Sequence, residues 1–99
     1  FNIITLNKVL EHVEEPIKML KKIKGNLIKN DNFFYIEVPD ATEASKLGKD
    51  REEFGIDHLH VFTLNSLYLL LKKSNFTPLS INRIRENSSK FTLTVFGKF

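Results

Sequence analysis

The chain has 99 residues, a formal net charge of +3 and 41% hydrophobic residues, which limits it to one domain with a modest core. No apolar run approaches the roughly 18 residues that a membrane-spanning helix needs. Cysteine is absent, which excludes disulfide scaffolds and thiolate zinc sites and is compatible with a cytoplasmic protein. The basic residues sit in helix-like stretches (Lys18, Lys21, Lys22 and Lys24, then Lys72 and Lys73) with no interleaved aromatics, so they read as solvated helix faces rather than a nucleic-acid surface.

In chain order, "NIITL", residues 2–6, is a short β-branched run whose continuous apolar character predicts a strand buried on both faces. It opens almost directly from Phe1, without a Met or a basic-then-apolar leader, as an excerpt of a longer protein would. "VLEHVEEP" follows. Pro16 suits a first helical turn, and Glu14 and Glu15 put negative charge at that helix's positive end. Ile17, Leu20, Ile23 and Leu27, widened by Met19 and Ile28, predict an amphipathic helix over 15–29. Asn30, Asp31 and Asn32 are residue types that tolerate a left-handed turn.

"FFYIEV", residues 33–38, predicts a second strand buried on both faces, ended by Pro39. On that reading Phe33, Phe34 and Tyr35 are core rather than a stacking surface. Residues 40–62 are polar, carry Gly48 and Gly55, and read as a long lid-like loop with room for a short helix near 42–47. Thr63 caps a helix over 64–74, with Leu64, Leu67, Tyr68 and Leu71 on one face. Two strands joined at "ENSS" then form an antiparallel hairpin over 77–98. The strand–helix–strand start is a parallel unit.

These words, in this order, resemble the C-terminal half of the class I methyltransferases that use S-adenosylmethionine. "FNIITLNKVLEHVEEPIKMLKKI" is similar to that family's fourth strand and following helix, "NLIKNDNFFYIEVPD" to its fifth strand, and "HLHVFTLNSLYLLLKKSNFTPLSI" to its "H-x-x-x-F-(S/T)" helix start. Asn and Asp stand where the family commonly has Gly, at residues 30–32 and 75. The resemblance implies an α/β fold: the C-terminal half of a Rossmann-like sheet, with strands ordered first, second, fourth, third and the last strand antiparallel between its neighbours. The family's cofactor loop, a "G-x-G" word, has no match, since Gly25, Gly48, Gly55 and Gly97 are isolated. The expectation is therefore a half-site, inactive and without tight S-adenosylmethionine binding by itself, which belongs to a methyltransferase for a small-molecule acceptor when full-length.

Ligands of open α/β sheets bind beyond the carboxyl ends of the parallel strands. The resemblance assigns Asn7 and Lys8 to the cofactor's methionine end, and His12, Pro39, Asp40 and His60 to the acceptor side. Some relatives hold Mg²⁺ with a Glu-x-x-Glu-His word. Here Lys8 stands at the first Glu, leaving Glu11 and His12 alone, so no metal is expected and both read as shaping the pocket rim. The H-x-H of His58 and His60 lacks a third zinc ligand. Asp57, His58, Leu59 and Phe62 are similar to a "Glu-His-Leu-x-x-Phe" word in certain sugar C-methyltransferases, which makes His58, with Asp57, the candidate proton acceptor. The other reading of His58 and His60 is a helix cap or packing beneath the loop. The competing function is a non-enzymatic α/β module that forms a homodimer through the open edge of its first strand.

Overall fold

A computed structural model describes residues 2–27, 32–46, 60–87 and 90–99. Strand β1 (Asn2–Asn7) pairs in parallel with β2 (Asn32–Pro39), in register from Asn2 opposite Asn32 to Asn7 opposite Glu37. Between them come a single 3-10 turn, Leu10–His12, and helix α1 (Pro16–Gly25). A short helix α2 (Ala41–Ser45) follows β2. Helix α3 (Leu64–Lys73) then leads into β3 (Thr77–Arg85) and β4 (Phe91–Lys98). The sheet order is β1-β2-β4-β3, and β4 runs antiparallel to both its neighbours. This is the mixed sheet expected from the sequence.

The helix ends follow local chemistry. Pro16 opens α1, where its missing N–H costs nothing, but Glu15 makes no side-chain cap. Among the described residues α1 ends at Gly25, earlier than the expected 29; residues 28–31 lie outside the described ones, as does most of the expected left-handed turn there. Thr63 and Ser66 form a reciprocal capping box at the start of α3 (Ser66 N–H to Thr63 Oγ1, 3.1 Å; Thr63 N–H to Ser66 Oγ, 2.9 Å). Asn75, with φ 63°, takes the left-handed position just after α3, and the Phe76 N–H reaches back to the Leu71 carbonyl (2.9 Å).

The helices cover one face of the sheet. Leu20 of α1 and Leu67, Leu70 and Leu71 of α3 join Phe34, Ile36 and Val38 of β2 and Leu93 and Val95 of β4 in a single core. Tyr68 is not part of that stripe, contrary to expectation. It is 40% exposed, while Leu70 packs inward and its carbonyl accepts the hydroxyl of the buried Ser74 (2.9 Å). The helix is rotated so that positions 67, 70, 71 and 74 face the sheet.

The first strand is not buried on both faces. Ile3 is 51% exposed, and Thr5 and Asn7 on its side of the sheet are exposed too, because among the described residues no helix covers that face. In β2 burial alternates for the same reason: Phe34, Ile36 and Val38 are buried, and Phe33, Tyr35 and Glu37 are half-buried. Phe33 stacks on Phe96 of β4 on the uncovered face (5.6 Å between centroids, 8° between planes).

Candidate functional site

The carboxyl ends of β1 and β2 lie side by side, and β4, being antiparallel, begins where β2 ends. The end of β3 and the start of β4 therefore join the same rim. The rim carries a network of charged side chains on each face of the sheet.

On the uncovered face, Lys8 adopts the left-handed conformation (φ 59°) directly after β1, a position that costs a non-glycine residue strain. Its N–H is spent on the Glu37 carbonyl (2.9 Å). Its ammonium donates to Glu86 Oε2 (3.2 Å), which also accepts the Thr92 hydroxyl (2.9 Å). One contact thus ties the end of β1 to the end of β3 across the two strands between them. The Thr92 hydrogen bond, then the Lys8 ammonium, hold the Glu86 carboxyl below the ordinary carboxylate range. The Tyr35 hydroxyl donates to Glu37 Oε1 (2.6 Å), and this bond, with burial second, pushes the phenol up to about 12.

On the helix-covered face Asp40 is 0% exposed, directly after the buried Pro39. Asp40 Oδ1 accepts the N–H groups of Thr42 and Glu43 (3.1 and 3.3 Å), starting α2 where the sequence leaves room for a short helix. Among the described residues Asp40 Oδ2 accepts no hydrogen bond, with Arg83 Nε 3.8 Å away. Arg83 Nη1 donates to Glu43 Oε1 (3.1 Å), which Lys46 also reaches (3.0 Å). Lys46 and then Arg83 lower the Glu43 carboxyl.

The other candidates fall into three places. Glu11 and His12 lie in the 3-10 turn, but Glu11 does not sit on a solvated rim. It is 1% exposed, its Oε2 lies 3.9 Å from His12 Nε2, and its Oε1 accepts no hydrogen bond among the described residues. Burial follows from its neighbours, since the Glu11 carbonyl receives the His60 N–H (3.1 Å) and the returning chain covers the turn. His60 lines a cleft of about 600 Å³ between α1 and α3, with Pro16, Ile17, Lys21 and Leu70, rather than joining Pro39 and Asp40. The chain is back at the strand end two residues later, where Phe62 bridges to Asp40 and its carbonyl accepts the Ala41 N–H (2.9 Å). Asp57 and His58 lie outside the described residues, as do most of the positions of the expected lid.

The structure thus brings Asn7, Lys8, Pro39 and Asp40 to one rim and sets His12 and His60 behind it. Sequence reading missed Arg83, Arg85, Glu86, Phe91 and Thr92. Their signal was available in the expected topology: a last strand antiparallel to the second must start at the second strand's carboxyl end.

The sequence pattern of the methyltransferase domain family matches residues 1–81 of the chain. No curated protein matches it by sequence. Among solved structures, it is similar to the 1,6-didemethyltoxoflavin-N1-methyltransferase of Burkholderia thailandensis, which holds 1,6-didemethyltoxoflavin and S-adenosylhomocysteine (TM-score 0.70, 21% identity, 97% of this chain and 42% of that one). It is also similar to a SAM-dependent methyltransferase from Methanosarcina mazei (TM-score 0.69, 16% identity, 99% of this chain and 58% of that one). The chain therefore spans less than two thirds of either protein, and at these identities the likeness is one of fold.

Proposed function

Because the chain belongs to the methyltransferase domain family, we propose that it forms the acceptor-side half of an S-adenosylmethionine-dependent methyltransferase acting on a small molecule. The observation that carries this reading is the family match over a rim that collects charged and polar side chains at the carboxyl ends of two parallel strands. The Burkholderia enzyme, with its small heteroaromatic substrate and spent cofactor, is in keeping with it.

The residues at the rim suit the polar end of such a cofactor. Asn7 offers an amide and Lys8 an ammonium, and the Glu86 contact keeps that ammonium at the strand end. S-adenosylmethionine, when bound, supplies a methyl group already activated on sulfur, so the protein's work is alignment of the acceptor and removal of its proton. Pro39 and Asp40 border the acceptor, with His12 and His60 supporting it from behind, and His58, with Asp57, takes the proton. The glycine-rich loop of the family's cofactor site, and the ribose-binding acid after its second strand, are not written in these 99 residues. They fall to another part of the full-length protein, and the chain by itself binds the cofactor weakly or not at all.

The test is made on the full-length protein. Calorimetry is expected to show S-adenosylmethionine binding, and transfer of a labelled methyl group across a small-molecule panel is expected to drop in the His58→Ala variant by about 10²–10⁴-fold, the usual contribution of a general base. Undiminished turnover removes His58 from the mechanism, and no cofactor binding removes the methyltransferase reading itself.

A further inference from the structure

A second concavity opens at the helix-side end of β2, enclosing about 260 Å³ between Asp40, Glu43, Arg83, Ile84, Arg85 and Phe91. Arg83 and Arg85 are two apart on β3, opposite Leu93 and Phe91 of β4, so both side chains leave the same face of the sheet. They are held differently. Arg83 is committed: its Nη1 donates to Glu43 and its Nε stands over the fully buried Asp40. Arg85 lies with its guanidinium carbon 5.1 Å from the centroid of the Phe91 ring, and among the described residues it has no carboxylate partner.

Charge balance then has a direction. Two acids, Asp40 and Glu43, stand against three cations, Arg83, Arg85 and Lys46, and one of those acids is shared by Arg83 and Lys46. Among the described residues the uncompensated charge is that of Arg85. A guanidinium lying over a ring keeps its N–H groups pointing outward in the guanidinium plane, the geometry that a carboxylate accepts bidentately and that a lysine could not offer. The volume admits a carboxylate and the few atoms next to it.

We propose that this cleft is the anion subsite of the acceptor: Arg85, laid over Phe91, binds a carboxylate carried by the small molecule to be methylated, and Asp40 positions Arg83 beside it. The inference rests on the reading that the acceptor enters at the carboxyl end of β2. It assigns that acceptor to the small carboxylic acids.

The experiment uses the full-length protein without cofactor, with benzoate, benzyl alcohol and inorganic phosphate as probes, followed by calorimetry and by NMR of the arginine Nε–H and Phe91 ring signals. Benzoate is expected to bind saturably and to move the Arg85 and Phe91 signals, while benzyl alcohol does not. Arg85→Gln is expected to weaken benzoate by about tenfold, the scale of one charge-assisted hydrogen bond. Arg85→Lys, which keeps the charge and loses the planar fork, is expected to weaken it too, and covers the case in which the Gln variant fails to fold. Lys73→Gln, on an exposed turn of α3, should change nothing. Equal binding of benzyl alcohol, tighter binding of phosphate than of benzoate, no saturable benzoate binding, or full binding by Arg85→Lys each overturns the proposal. None of these readouts involves the cofactor, so failure here leaves the methyltransferase reading standing, and failure of cofactor binding leaves this result intact.

Discussion

At the scale of single residues, two positions carry consequences that can be measured. Gly97 of β4 lies opposite Phe34 of β2, and a Cβ added there would meet the Thr77 carbonyl and the Phe34 ring. The ring has no room to retreat, because it is 1% exposed and packs on Phe76 and Phe99 (5.0 and 5.6 Å between centroids). Gly97→Ala is therefore expected to destabilise the fold by about 3 kcal/mol, the upper part of the range for overpacked cores, read as a lower urea midpoint. An unchanged midpoint would mean that β4 does not approach β2 and β3 as described. Glu86 governs the acid side. Its folded carboxyl titrates below the ordinary 4.5, so its contribution is fully present above that value and is lost as pH falls through the lower folded one. The melting temperature of Glu86→Gln should lie below that of the unaltered protein at pH 6, and the gap should close toward pH 3. A gap independent of pH would show that Lys8 and Thr92 do not stabilise the ionised form.

At the scale of elements, periodicity and caps were legible, and partners were not. The capping box at Thr63 and the left-handed Asn75 follow from short words, because a cap is satisfied by atoms within a few residues. Which side of α3 turns inward is decided by the sheet and α1, so Leu64, Leu67 and Leu71 could be extended toward Tyr68 or toward Leu70 with equal sense. Packing selects Leu70. The same limit applies to "NIITL". Its unbroken apolar run states that both faces can be covered, but only the side bearing Leu6 has a neighbour among the described residues. At the rim, Asn7, Lys8, Pro39 and Asp40 were legible because strand ends are local features. Glu86 and Arg83 were not, because their partners stand 78 and 40 residues away and are met only through the register of the hairpin.

At the scale of the whole molecule, the sheet has two edges among the described residues, one parallel (β1) and one antiparallel (β3). β2 and β4 each have a strand on both sides, whereas among the described residues β1 pairs with β2 alone and β3 with β4 alone. Alternate N–H groups of β1 therefore point outward, and Ile3, Phe33 and Phe96 lie on the uncovered face beside them. An open parallel strand with an apolar flank is a template for another strand. The half-domain reading fills it with strands of the same methyltransferase domain, and the dimer reading fills it with a second copy of this chain. Amide exchange separates the two. In the 99-residue chain, amides of β2 and β4 should exchange slowest and the outward amides of the two edge strands, β1 and β3, fastest among the strands. In the full-length protein the half-domain reading requires the outward β1 amides to become protected at every concentration. Pairing between copies instead requires protection that rises with concentration, in step with a dimer in sedimentation. Outward amides that stay unprotected in the full-length protein would leave the edge without either occupant, and the half-domain assignment would fall with them.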